Sequence, residues 1–169
     1  MISQFITGKT YIFIDAENLL YAQESLGWKI SYQKLMAYFI RECGNGVKCF
    51  VYKGIDENNT RQKKFLDMLD INRFIVRTKV VKVIRKKSGA SQWNGNLDIE
   101  LALEMVELKD QYDTAILISG DSDFAVVLDK LKQYGKRVLV MSTRGRVARE
   151  LLERAKYINV SKLKRDIAQ

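Results

Sequence analysis

Acidic residues stand where short apolar runs end. Tyr11-Ile12-Phe13-Ile14 leads directly into Asp15, and Ile116-Leu117-Ile118 leads into Ser119-Gly120-Asp121-Ser122-Asp123. Asp98 sits near the start of a third segment, 97–108, whose residues Leu101, Leu103, Met105, Val106 and Leu108 form a broad apolar helical face. Aspartate also caps helices and favours their first turn, so each residue taken singly is as well explained by capping as by chemistry. Two carboxylates delivered by strand ends shift that balance. Carboxylates that converge without a counter-charge raise one another's pKa values. A hard divalent cation, Mg²⁺ or Mn²⁺, prefers oxygen ligands, relieves the repulsion and activates water toward a phosphate ester.

Histidine is absent from the 169 residues. That removes imidazole acid/base chemistry, Ser-His-Asp and Cys-His triads, and histidine-ligated zinc. Cys43 and Cys49 match no common zinc spacing and read as reduced, structural thiols. Carboxylates, lysines, hydroxyls or thiols must therefore carry any catalysis. Glu104 follows Asp98 by six residues, about 120° away around a helix, and is a supporting residue only.

The formal net charge is +9 and the sequence pI about 9.5. Such an excess favours polyanions through counterion release, and beside an acidic site it points to nucleic acid. Arg73, Arg77, Lys79, Lys82, Arg85, Lys86 and Lys87 precede the Asp98 segment. Ser88-Gly89-Ala90-Ser91 has loop composition, and Trp93 could stack on an unpaired base. Arg144, Arg146 and Arg149 follow the fifth expected strand, on the sheet edge that carries the acids. The competing explanation is a solvated charged loop and a basic helix face. Trp28 reads as packing.

The elements that must position these residues alternate. Strands are expected at 11–14, 47–52, 114–119 and 137–141, with one or two more within 74–84. Helices are expected at 31–41, 59–69, 97–108, 123–134 and 147–154, and a last strand near Tyr157-Ile158 precedes a terminal helix. Such alternation predicts a mostly parallel sheet covered on both faces. No linker or repeat interrupts it, so 1–169 reads as a single domain. No run approaches the roughly 20 apolar residues of a membrane span, and the first residues lack signal-peptide character. A cytoplasmic location is the expectation.

Ile14-Asp15-Ala16-Glu17-Asn18-Leu19, Leu97-Asp98 and Ser119-Gly120-Asp121-Ser122-Asp123-Phe124 together resemble the NYN family, close to its LabA-like bacterial members. That family belongs to the PIN-like nucleases, and the resemblance runs from about residue 11 to about residue 160. It implies a three-layer α/β/α sandwich with a mostly parallel central sheet. It also implies a divalent-metal-dependent endoribonuclease that leaves a 5′-phosphate and a 3′-hydroxyl. Asp15, Asp98, Asp121 and Asp123 match the family's acidic positions, and Asn18 matches its polar partner. Glu104 falls where many relatives carry Asp, and Ser119 would orient a ligand carboxylate or contact phosphate.

The resemblance breaks at Trp93-Asn94-Gly95, where relatives often carry Lys before the Gly; Lys86 or Lys87 could replace that cation. The implied partner is RNA, single-stranded or with structured loops, and a homodimer is compatible with it. Two alternatives stay open: a non-catalytic RNA-binding module, and a small-molecule phosphohydrolase. Haloacid-dehalogenase-like phosphatases need a second Asp two positions after the first, and this chain has Glu17 there.

Overall fold

A strand that is apolar on both faces must be covered on both, and β1 (Thr10–Asp15) accordingly occupies the middle of the sheet. The computed structural model describes residues 1–56, 59–85, 91–94 and 97–169. After β1 come α1 (Ala16–Leu26), α2 (Tyr32–Cys43), β2 (Lys48–Ile55), α3 (Thr60–Ile71) and β3 (Ile75–Val80). The hairpin strands β4 (Lys82–Arg85) and β5 (Ser91–Asn94) lead to α4 (Asp98–Glu107). The chain then passes through β6 (Thr114–Ile118), α5 (Ala125–Gln133), β7 (Arg137–Ser142), α6 (Arg149–Leu152), β8 (Lys156–Asn159) and α7 (Lys164–Ile167).

The main sheet has six strands in the order β3-β2-β1-β6-β7-β8, and every pairing within it is parallel. The chain winds outward from β1 to β3, returns to the centre at β6, and winds outward the other way. The carboxyl ends of β1 and β6 therefore form the topological switch point, where open α/β sheets place their ligands. Ile14 lies opposite Ile118, so the next residues, Asp15 and Ser119, emerge side by side.

Alternation along the strands builds two cores. Ile12, Ile14, Val51, Ile116, Ile118 and Met141 face α1, α2, α3 and α7, where they meet Leu19, Leu35, Phe39, Leu69 and Ile167. Tyr11, Phe13, Phe50, Leu117 and Val140 face α4, α5 and α6, where they meet Leu101, Met105, Leu128 and Leu151. The expected three-layer sandwich is borne out. Trp28 packs at the edge of the first core, as expected. Cys43 and Cys49 are free thiols, and burial pushes Cys43 up to about 12 and raises Cys49 as well, which suits structural, unreactive groups. No helix among the described residues is long and apolar enough to cross a membrane.

Three elements depart from the expected order. Helix α1 was not anticipated, because it begins at the strand end without a loop and buries little beyond Ala16, Leu19 and Ala22. Asp15 caps it, and Gly27 closes it in the left-handed conformation at φ 68°. Strand β5 was likewise unexpected; it pairs antiparallel with β4 in a separate two-stranded ribbon. The helix expected at 147–154 shrinks to the single turn of α6.

Leu101 is fully buried where α4 crosses the sheet. Truncating it removes contacts with both the sheet and α5. Leu101→Ala should lower the unfolding free energy by about 2–5 kcal/mol, as read from urea denaturation.

Candidate active site

The two strand ends are tied together by hydrogen bonds. Asp15 Oδ1 accepts from the backbone amides of Glu17 and Asn18, both at 3.1 Å, and so caps α1. The buried Ser119 hydroxyl donates to Asp15 Oδ2 at 3.1 Å and accepts from the Asp121 amide at 3.3 Å. Asn18 Oδ1 accepts from the Gly120 amide at 3.1 Å. Asp121 Oδ1 accepts from the Asp123 amide at 3.0 Å, which starts the 3-10 turn Ser122–Phe124 ahead of α5. Capping and site geometry are thus the same set of contacts.

These residues border three depressions. Asp15, Glu17, Tyr52, Gly54, Leu97, Asp98 and Leu101 line a narrow cleft between β1, β2 and the start of α4. Asn18, Tyr21, Gly120, Asp121, Gly145 and Arg146 line a groove of 320 Å³ between α1 and the ends of β6 and β7. Asp123 lines a groove between α4 and α5, with Ile99, Leu103 and Val126. Asp15 and Asp98 therefore share one cleft, Ser119 links the Asp121 backbone amide to Asp15, and Asp123 lines a separate groove between α4 and α5. Glu17, Tyr52 and Tyr21 were not singled out as site residues from sequence. The Asp15-x-Glu17 spacing was visible, but a helix starting at Asp15 was needed to place Glu17 and Tyr21.

Burial raises the Asp15 pKa above its ordinary 3.8. The Asn18 amide, the Ser119 hydroxyl and the Glu17 amide pull it down, and the nearby Glu17 carboxylate pushes it up. A cation in this cleft would offset that charge, and an oxygen-only donor set suits a hard divalent ion. Among the described residues no three acidic or thiol side chains converge into a ready-made metal cage. Asp15 and Asp98 are the two carboxylates that line this cleft, and the Asp121 backbone amide is tied to Asp15 through the Ser119 hydroxyl.

Glu104 is committed elsewhere. Arg77 grips it with both Nε and Nη2 at 2.6–3.1 Å, and the Tyr52 hydroxyl donates to it at 2.8 Å. Because Tyr52 also lines the Asp15–Asp98 cleft, Glu104 supports the cleft wall from beneath.

The expected cations separate in the same way. Arg146 lines the Asp121 groove and donates through Nε to Ser25 Oγ at 2.6 Å. Arg149 pairs with Glu153 at 2.7 Å one turn on, and Arg144 borders a cavity with Phe5 and Tyr157. Lys86, Lys87 and residues 88–90 lie outside the described residues. Trp93 pairs with Val83 through the backbone, and its side chain lies outside the described atoms.

The NYN domain model matches residues 9–161, and the chain belongs to the NYN domain family. It is 32% identical over 164 residues to the low amplitude and bright protein LabA of Synechococcus elongatus, covering 95% of this chain and 88% of that one. A crystal structure of a Vibrio parahaemolyticus protein of unknown function shares the fold, with a TM-score of 0.77 and 23% identity over 96% of each chain.

The raised Asp15 pKa carries a stability cost. The folded protein binds this proton more tightly than the unfolded chain, so the penalty is complete above the folded pKa. It disappears as pH falls to the ordinary value of 3.8. Asparagine keeps the capping oxygen and removes the charge. Asp15→Asn should therefore melt at a higher temperature than the wild type at pH 7, with the gap closing toward acid in a pH series of thermal melts.

Proposed function

We propose that the chain is a metal-dependent endoribonuclease working at the switch point between β1 and β6. The observation behind this reading is the shared cleft of Asp15 and Asp98, joined to Asp121 by the Ser119 hydroxyl. Mg²⁺ or Mn²⁺, when bound, would supply a Lewis acid that acidifies water and offsets charge on the phosphate. Asp15, Asp98 and Asp121 would hold it, and Asp123 would complete the acidic set from the α4 side. Ser119 fixes the rotamer of Asp15, while the Glu17 and Asn18 amides hold the same carboxylate from the helix start. Water adds to phosphorus, the 3′-oxygen leaves, and the products are a 5′-phosphate and a 3′-hydroxyl. Arg146, with Lys86, Lys87, Trp93, Arg144 and Arg149 as further contacts, would draw in single-stranded or looped RNA.

A second reading keeps RNA binding without cleavage. It is favoured by Glu104, an acidic residue at a family position that is neutralised here by Arg77.

The two readings separate in one assay. Purified protein should cut single-stranded RNA with Mn²⁺ or Mg²⁺ and stop with EDTA. The Asp121→Asn, Asp123→Asn double variant should cut at least about 100-fold more slowly. Cleavage that persists in the double variant would sink the nuclease site, and salt-sensitive binding without any cleavage would select the second reading.

A further inference from the structure

Helix α1 presents a polar stripe toward the loops that follow β6 and β7. Asn18, Tyr21 and Ser25 follow at i, i+3 and i+7 and so share one face of the helix. Asn18 Oδ1 accepts from the Gly120 amide at 3.1 Å at one end of the stripe. At the other end, Ser25 Oγ accepts from Arg146 Nε at 2.6 Å. Tyr21 lies between them, 52% exposed, with no hydrogen bond or ring contact among the described residues.

The opposite wall is held firmly. A Cβ at Gly120 would collide with the Arg146 carbonyl oxygen, so the two loops touch backbone to backbone. The Ser142 hydroxyl donates to that same carbonyl at 3.3 Å, and the Ala148 amide donates to Gly120 O at 2.9 Å. Gly145, at φ 82°, permits the turn that sends the Arg146 side chain back toward α1. With Nε fixed by Ser25, the guanidinium keeps its remaining donors, and no carboxylate among the described residues pairs with it.

We infer that this groove is a subsite for one unpaired RNA nucleotide, its base stacked on Tyr21 and its phosphate held by Arg146. The inference rests on the ribonuclease reading and extends it, because Asp121 forms the wall nearest the proposed cleavage site. At 320 Å³ the groove stands at the small end of ligand sites, which run from roughly 300 Å³ upward. A base stacked within a duplex offers no free face to Tyr21, so the subsite selects single strands or loops. The Asn18 carboxamide nitrogen, whose oxygen is already engaged by Gly120, supplies a donor for the ribose hydroxyl or a base edge.

Fluorescence anisotropy with single-stranded and duplex RNA of equal length, Ca²⁺ replacing Mn²⁺ to suppress cleavage, tests this directly. Tyr21→Ala should weaken single-strand binding about tenfold and leave duplex binding unchanged, while Tyr21→Phe restores it. Arg146→Ala should weaken binding and reduce the salt slope by about one. Single-strand affinity in Tyr21→Ala equal to that of the wild type overturns the subsite, even where Mn²⁺-dependent cleavage is intact. A wild type that cuts nothing but loses its single-strand preference in Tyr21→Ala supports the subsite and removes the nuclease reading. A wild type that binds no RNA overturns both.

Discussion

The hydrogen bond from Ser119 to Asp15 Oδ2 is the contact on which the site depends. It exists because β1 and β6 are adjacent, parallel and in a register that ends them together. A slip of one residue would turn Asp15 to the other face of the sheet and detach it from Ser119. The register is fixed in turn by two apolar faces that must both be buried, with Ile12 and Ile14 toward one core and Tyr11 and Phe13 toward the other. Core packing and site assembly are one constraint seen from two sides.

That constraint carries a cost at Asp15. Burial disfavours its charge, and two backbone amides and a hydroxyl recover only part of what water would have supplied. A group held charged against desolvation, at a switch point, is arranged for a ligand better than for stability. Glu104 shows the contrasting case: Arg77 satisfies it in a bidentate grip and Tyr52 closes the set, so its charge is spent on structure.

The sequence carried the strand ends clearly, since Tyr11–Ile14 and Ile116–Ile118 are short apolar runs and the acids follow at once. Their partnership was legible as a coincidence of two strand ends, and the family motifs completed it. Helix α1 was hidden, because it has no loop before it and exposes Leu20 and Tyr21 along a weakly apolar surface. With the helix went Tyr21 and Ser25, and Arg146 had no partner that could be anticipated. The Arg77–Glu104 pair was hidden for a different reason: β3 and α4 meet through tertiary packing across 27 residues of chain, and no local spacing encodes that.

Net charge alone would mislead about where a polyanion docks. Arg77, Lys79, Arg149 and Arg154 are all paired with carboxylates, so much of the basic excess near the sheet is already neutralised locally. Surface pairs of this kind add little stability, but they remove cations from the field that a phosphate would meet. Arg146 differs in kind. Its partner is a neutral serine, so its orientation is fixed without cancelling its charge. It also sits on the groove that carries Asp121, and Asp121 is joined through Ser119 to the contact that ends β1 and β6 together. The register that makes the acidic site also brings Asp121 into the groove where Arg146 keeps its charge.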